Sequence, residues 1–315
     1  MGPFTAFMRC SFDVQTAFVE SRQAAMTMLP AATWRTRRSA VVAVLWMVAL
    51  ASCVASGLAN APAAIQGAAL APRPTDAART AVETVLRTRN LHALKEMDPI
   101  SLGNEVYRAL YVEGEPKPTT LSQSQYEQTL LSAGHVQATA GWFSIRSGAL
   151  DHRDLVRIYL NVMPDAVSAL VADLLGKLRL REIRFAMKLP ADLASFRRSS
   201  SAVLYVERGD YVEARAHAVR FVESCGSCVA ADVPPFTKRV ARGVGVADEP
   251  STSSSSRPHY SHGTVRAQLV AEALTTARAD ATAEELAASV RERFASHNLD
   301  PLRPWLRAGK LVDDL

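Results

Sequence analysis

The segment Leu155-Val-Arg-Ile-Tyr-Leu-Asn-Val162 alternates apolar and polar side chains and is rich in residues that favour β-structure. A period of two over this segment predicts a half-buried strand. Arg157, Tyr159 and Asn161 are then expected to share one face, because successive side chains of a strand point to opposite sides. The segment therefore predicts a sheet with one polar face.

Further elements are expected after this strand. The segment 164–178 opens with Pro164 and carries apolar residues at helical spacing, so it should be a helix. Two more strands are expected at 183–189 and 202–206. The sequence predicts an α+β fold, in which a small mixed or antiparallel sheet is flanked by helices and follows an α-helical N-terminal part.

Basic side chains cluster around these strands. Lys188 lies at the end of the second strand, and Arg197 and Arg198 come just before the third. A cationic, hydrogen-bonding surface on a sheet suits a phosphate or a carboxylate. The alternative, that these are solvated polar positions of an open sheet face, stays open on pattern alone.

The chain before residue 150 carries helix signals. Thr80 and Glu83 have capping-box spacing, which predicts a helix that starts at Thr80. Helices are also expected at 105–111 and 122–133, with a strand at 141–146.

Helices are expected again in the C-terminal third, at 210–223, from near Thr264 and at 284–296. Arg266 near the start of the second of these suggests an anion site at a helix N-terminus, although capping is the commoner use of such residues. Gly243-Val-Gly245 is a weak phosphate-loop signal, because it lacks a third glycine.

The composition excludes several classes of protein. The 315 residues are 48% hydrophobic and 21% charged, which is ordinary for a globular protein. Residues 1–53 contribute +3 of the net charge of +5, and no basic run interleaved with aromatic residues follows, so nucleic-acid binding is not expected. No Gly-x-Ser-x-Gly motif and no histidine pair of the HExxH kind occurs, which disfavours a hydrolase triad and a metal centre. No cofactor is expected.

Four cysteines are too few for a disulfide scaffold. Cys225 and Cys228 form a CxxC motif that follows a helix rather than starting one, so a low-pKa redox thiolate is not expected. The pair is interpreted as two ordinary loop cysteines or, in an exported protein, as a local disulfide.

The N-terminal residues have the pattern of an export signal. Arg35-Thr-Arg-Arg38 precedes an apolar run at 40–51, which is too short for a comfortable membrane span. Leu50-Ala-Ser-Cys53 resembles a lipobox, in which Cys53 would be lipidated and would anchor the protein to a membrane.

Domain boundaries follow from this pattern. Residues 1–53 are interpreted as a leader and residues 54–79 as a flexible tether. The folded domain is expected at 80–315, with a mainly helical part at 80–150 and an α/β part at 151–315. The alternatives for the leader are an uncleaved anchor or a mis-annotated N-terminus, and the protein would be cytoplasmic in the latter case.

Short blocks from about residue 80 to the end resemble a known family when they are taken together and in order. They are Glu105-Val-Tyr-Arg-Ala-Leu-Tyr-Val-Glu-Gly-Glu-Pro116, Gly141-Trp142, Arg157-Ile-Tyr-Leu-Asn161, Phe185-Ala-Met-Lys188, Ala202-Val-Leu-Tyr205, Pro235-Phe-Thr237, Gly243-Val-Gly-Val-Ala-Asp-Glu-Pro250 and Ser261-His-Gly263. Each block alone is weak, but the ordered set is similar to the HopA family of type III effector proteins.

The resemblance implies a function. Some members are effectors of plant-associated bacteria, and others act beside kinase-like proteins in lanthipeptide and thioamitide biosynthesis, where they eliminate phosphate from phosphoserine or phosphothreonine. By position Lys188 resembles the base of such a lyase, and Tyr159 stands where lyase effectors have an acid histidine. The residues that resemble phosphate ligands are Arg157, Asn161, Arg198 and Arg266.

Two residues depart from the pattern of the lyases. Tyr159 is a reluctant acid because the ordinary pKa of tyrosine is about 10, although neighbouring arginines are expected to lower it. His262 stands where relatives carry an aromatic residue, and it is interpreted as a surface residue rather than a substitute proton donor.

Two principal hypotheses follow. The first is a metal-independent lyase acting on phosphorylated Ser or Thr of a protein or peptide, alone or with a kinase-like partner. The second is a module that has lost catalysis and binds a phosphopeptide or a partner, with a secretion chaperone as a further expected partner. A third hypothesis, a structural exported lipoprotein, has no anion site. The first is slightly favoured over the second.

Overall fold

The computed structural model describes residues 76–112, 114–139, 141–151, 154–249 and 261–309. Within these residues the strands are β1 (Val136–Thr139), β2 (Trp142–Arg146), β3 (Leu155–Leu160), β4 (Phe185–Pro190), β5 (Ala202–Glu207), β6 (Lys238–Ala241) and β7 (Val244–Asp248). They form one antiparallel sheet in the order β1-β2-β4-β5-β3-β7-β6. The first predicted strand, β3, therefore lies inside the sheet.

Helices surround the sheet, so the predicted α+β class is confirmed. Those of the described residues are α1 (Ala77–Thr88), α2 (Leu91–Lys95), α3 (Pro99–Tyr107), α4 (Gln123–Ser132), α5 (Val167–Ala169), α6 (Gly176–Leu180), α7 (Tyr211–Cys225), α8 (His262–Thr276) and α9 (Ala283–Ser296). A π-helical turn, Arg108–Val112, continues α3, and another, Leu170–Leu175, joins α5 to α6.

One face of the sheet packs on α5, α6 and α7 through a hydrophobic core. Val156, Ile158 and Leu160 of β3 point into it, and each is fully buried. Phe185 of β4 and Phe221 of α7 lie in the same core. Burying one such side chain contributes about 1.5–3 kcal/mol, so this face holds the sheet and the helices together.

A second core holds the helices of the two ends of the chain together. α1 and α3 pack with α8 and α9 around buried apolar residues that include Leu102, Val270 and Phe294. The N-terminus of α8 lies over the other face of β3, where the His262 ring is 5.8 Å from the Tyr159 ring. All six residues of β3 are buried for this reason, so the expectation of a half-buried strand was wrong.

Helix capping is local and partly as predicted. α1 begins before Thr80, because the Asp76 carboxylate accepts hydrogen bonds from the backbone N–H groups of Ala78 and Arg79. Glu83 pairs with the Arg79 side chain instead of completing a capping box. Elsewhere two capping boxes do form, at the starts of α4 and α9.

The glycines of the weak phosphate-loop motif serve the fold. Gly243 has a φ of +63° in the tight turn between β6 and β7, and Gly245 lies so close to Thr237 that a Cβ there would stand 2.6 Å from Oγ1. In the loop after α7, Cys225 and Cys228 are joined by a disulfide.

The predicted leader with its Cys53, and nearly all of the predicted tether, lie outside the described residues. Among the described helices, none is both long enough and apolar enough to cross a bilayer.

Candidate functional site

The second face of the sheet carries three of the predicted site residues, Arg157, Tyr159 and Lys188. We call the side chains of Trp142, Ser144, Arg157, Tyr159, Lys188 and Tyr205 the polar face. The register places them together, since Ser144 of β2 pairs with Lys188 of β4, and Tyr205 of β5 pairs with Arg157 of β3. The register thus brings residues from four strands onto one surface, on which Arg157 and Tyr159 share a face as the period of two predicted.

Lys188 occupies the middle of the polar face and is half-buried. Its Nζ lies 5.4 Å from the centroid of the Tyr205 ring, and the Arg157 guanidinium lies 5.0 Å from the same centroid. Lys188 forms no ion pair with any carboxylate of the described residues. Its charge is therefore available to a ligand.

Arg198 approaches the polar face from the turn Leu193–Arg197 that precedes β5. Its guanidinium stacks 5.6 Å from the Trp142 ring, and its buried Nε makes no hydrogen bond to any described residue. No described carboxylate pairs with Arg198. Stacking fixes the plane of a guanidinium and leaves its outer N–H groups free to donate.

Arg157 is committed to a partner within the chain. Its Nε and Nη2 donate to the two carboxylate oxygens of Glu249, and its side chain is only 7% exposed. The bidentate pair neutralises the guanidinium in a place that water barely reaches. Glu249 lies 92 residues further along the chain, just after β7.

Tyr159 is buried beside Arg157, whose Nη1 is 3.5 Å from the phenolic oxygen. Burial raises the pKa of Tyr159 above its ordinary value, even though Arg157 acts in the opposite direction. Arg157 does lower this pKa, as expected, but the effect of burial is larger. As placed, Tyr159 is a weaker acid than free tyrosine.

Arg266 is buried under α8 and satisfied by the backbone. Its Nε donates to the Pro304 carbonyl at 2.7 Å, and its Nη1 to the His262 carbonyl at 3.3 Å. Burial lowers the pKa of Arg266 to about 10. The helix N-terminus beside it is capped by the Ser261 hydroxyl, which accepts from the backbone N–H of Thr264.

His262 is fully buried, so its interpretation as a surface residue was wrong. Neither ring nitrogen makes a hydrogen bond to a described residue. Burial first, and then the nearby Arg266 and Arg157, hold the pKa of His262 well below its ordinary value. The imidazole is therefore neutral and inaccessible to a substrate.

A protein-family model matches this chain. The model of the HopA1 effector protein family matches residues 131–306, which is more than half of the chain. The chain belongs to the HopA1 effector protein family. The resemblance found in the sequence blocks is thereby confirmed for the family, while the relation to lyases is not tested by this match.

Two solved effector structures share this fold. The effector protein from Pseudomonas syringae pv. tomato strain DC3000 has a TM-score of 0.53 at 16% identity, covering 74% of this chain and 100% of that one. The effector protein from Pseudomonas syringae pv. syringae strain 61 has a TM-score of 0.56 at 15% identity, covering 75% and 100%. At such identities the likeness shows a shared fold alone. No curated protein sequence matches this chain significantly.

Asn161 of this HopA1-family chain is tied to a lysine that sequence reasoning missed. Its Oδ1 accepts from Lys117 Nζ, and its Nδ2 donates to the Asp232 carbonyl at 2.9 Å. Lys117 Nζ also donates to the Val162 carbonyl at 3.0 Å and to Ser201 Oγ at 3.1 Å. Burial lowers the pKa of Lys117 to about 7. A lysine between two prolines gives no sequence signal of such a role.

The predicted site residues of this HopA1-family chain fall into two groups. Lys188 and Arg198 present cations that have no carboxylate partner among the described residues. The other group is held by contacts within the chain, and it consists of Arg157, Tyr159, Asn161 and Arg266. The arrangement can attract an anion through the first group, while the second group braces the sheet.

Proposed function

We propose that this HopA1-family protein binds a phosphorylated segment of a protein or peptide on the polar face. The observation that carries the proposal is the pair of cations, Lys188 and Arg198, each set against an aromatic ring and neither paired with a described carboxylate. A phosphate dianion accepts charge-assisted hydrogen bonds from such groups.

Trp142 relates the two cations to each other on the polar face. Trp142, on which Arg198 stacks, pairs with Pro190, two residues beyond Lys188 on β4. Diagonal neighbours in a sheet lie roughly 7–8 Å apart, within reach of long side chains. The rings of Trp142 and Tyr205 offer apolar surface to the residues beside the phosphate.

Elimination of phosphate is the second candidate function. In this reaction a base removes the α-proton, a Cα–Cβ double bond forms, and the Cβ–O bond breaks so that phosphate leaves with a proton from an acid. The accessible, unpaired Lys188 favours this candidate. The acid position disfavours it, because Tyr159 is buried and its pKa is raised.

A peptide-binding assay with a mass readout tests both candidates. The full chain is titrated into a fluorescein-labelled phosphothreonine peptide and into its unphosphorylated form, and fluorescence anisotropy is followed. We expect binding of the phosphopeptide alone, with Kd raised about ten-fold by Lys188→Gln and by Arg198→Gln, since each removes one charged hydrogen bond. The matched control is Arg87→Gln, which removes an exposed arginine of α1.

The outcomes separate the candidates. Equal binding of both peptides, or no effect of Lys188→Gln, refutes the binding proposal. Intact mass of the peptide after incubation reports the chemistry. Loss of phosphoric acid with formation of a dehydroamino acid, absent for Lys188→Gln, would replace the binding function by the lyase.

Delivery and partners complete the proposal. Membership in an effector family indicates a secreted protein. We propose further that the protein is exported with Cys53 as a lipidated anchor. A kinase-like partner that supplies the phosphate, or a secretion chaperone, would act beside it. Membrane fractionation of wild type and Cys53→Ser tests the anchor, and equal partition of the two would rule it out.

A further inference from the structure

A basic groove lies between α7 and the edge strand β6, away from the residues of the polar face. Its volume is about 570 Å³, within the range of ligand clefts. The groove has four cationic side chains, Arg215 and Arg220 of α7 and Lys238 and Arg239 of β6. The side chains between them are small or branched apolar ones.

Positive charge predominates in the groove. No described carboxylate lines it, and its three arginines form no ion pair within the described residues. Arg215 lies 5.5 Å from the Tyr211 ring, and Arg239 Nη1 donates to the Ala231 carbonyl at 2.7 Å, so both are held in place by neutral groups. Cations fixed in this way keep their charge for an external anion.

The groove also has a strand edge. β6 is the last strand of the sheet and pairs with β7 alone among the described strands. An edge strand can accept an extended segment from another chain, whose backbone then continues the sheet. The side chains of such a segment would lie beside the arginines of α7.

We propose that the basic groove binds an extended acidic segment of a partner protein. Charge complementarity selects acidic side chains, and the edge of β6 selects an extended backbone. Nucleic acid fits less well, because no aromatic side chain lines the groove for base stacking. A lipid surface fits less well too, because a flat bilayer cannot enter a groove between a helix and a strand.

The test uses the full chain and a defined probe, a fluorescein-labelled peptide of alternating glutamate and threonine. A peptide with glutamine in place of glutamate controls for charge. We expect anisotropy to report binding of the acidic peptide, weakened by salt because several exposed ion pairs form. The variant is Arg220→Glu, with Arg220→Lys as its charge-conserving partner and Arg87→Glu as the matched reversal on α1.

The expected result is a Kd raised about five-fold by Arg220→Glu and little changed by the other two variants. Equal binding of both peptides, or equal weakening by Arg87→Glu, overturns the proposal, since the effect would then follow net charge alone. Binding of anionic vesicles or of an oligonucleotide in preference to the peptide overturns it as well. Because Lys188 and Arg198 lie outside the groove, Lys188→Gln should leave acidic-peptide binding unchanged.

Discussion

Replacing His262 by phenylalanine should remove a pH-dependent loss of stability. The imidazole is completely buried and makes no hydrogen bond to a described residue. The charged or titratable side chains that act on it or pack against it are Arg157 and Tyr159 on β3 and Arg266 on α8.

The magnitude follows from proton linkage. Burial holds the folded-state pKa of His262 well below the unfolded value of about 6.5, so the unfolded chain binds a proton more readily. The contribution of His262 to stability is therefore fully present above that pH and is lost as the pH falls. The slope approaches about 1.4 kcal/mol per pH unit, which gives a loss of about 2 kcal/mol between pH 7 and pH 5.

Urea denaturation at both pH values measures this loss. Carboxylates also titrate in the range, so the quantity that matters is the difference between wild type and variant. His262→Phe should lose about 2 kcal/mol less than wild type on going to pH 5. His135→Phe removes an exposed histidine and should follow wild type. If the free energy of unfolding of His262→Phe changed with pH as it does in wild type, the conclusion that the His262 imidazole is buried and neutral would be refuted.

Three further substitutions test the packing around the site. Lys117→Met leaves several buried oxygen acceptors without a donor and should cost about 2 kcal/mol in urea unfolding; a neutral result would place Lys117 in solvent. Glu249→Gln leaves the buried Arg157 cation without its carboxylate partner and should lower the free energy of unfolding by about 3 kcal/mol. Adding Arg157→Met should recover part of that loss. Strictly additive effects in a double-mutant cycle would contradict the ion pair. Gly243→Ala should lower the free energy of unfolding by about 2 kcal/mol, because Gly243 has a positive φ and an added Cβ would stand 2.3 Å from the Ala230 carbonyl oxygen. The control Gly209→Ala, where a Cβ has open space, should change the Tm little in thermal melting. Equal Tm values for the two variants would show that the turn at Gly243 is not strained by a Cβ.

Much of the fold could be predicted because its signals are local. Strand patterns in the sequence found β2, β3, β4 and β5, and helical spacing found the long helices, but β6 and β7 were not predicted. β1 was missed because Val136-Gln-Ala-Thr139 is a short, mostly exposed edge strand that offers no apolar alternation. The full burial of β3 was missed because α8, about a hundred residues later, covers its second face.

The site was harder to predict for the same reason. Alternation predicted that Arg157 and Tyr159 share a face of β3, and the register of the sheet brings Lys188 onto that same face. The sequence could not show which of the basic side chains already have a partner within the chain. Glu249 reaches Arg157 from 92 residues away, and Lys117 reaches Asn161 across 44 residues. Such contacts depend on tertiary packing, and no local pattern encodes them.

Glu249 connects the two candidate functions. Its carboxylate occupies the bidentate donor pair of Arg157, which is the geometry that a phosphate would also take. For Arg157 to bind substrate, a phosphate dianion would have to displace Glu249, and the released carboxylate would then need solvent or another cation. A binding function needs no such exchange, because Lys188 and Arg198 are free of carboxylates in the described chain. Under the proposed function, the state of Arg157 would therefore separate binding of phosphate by two cations from elimination with three.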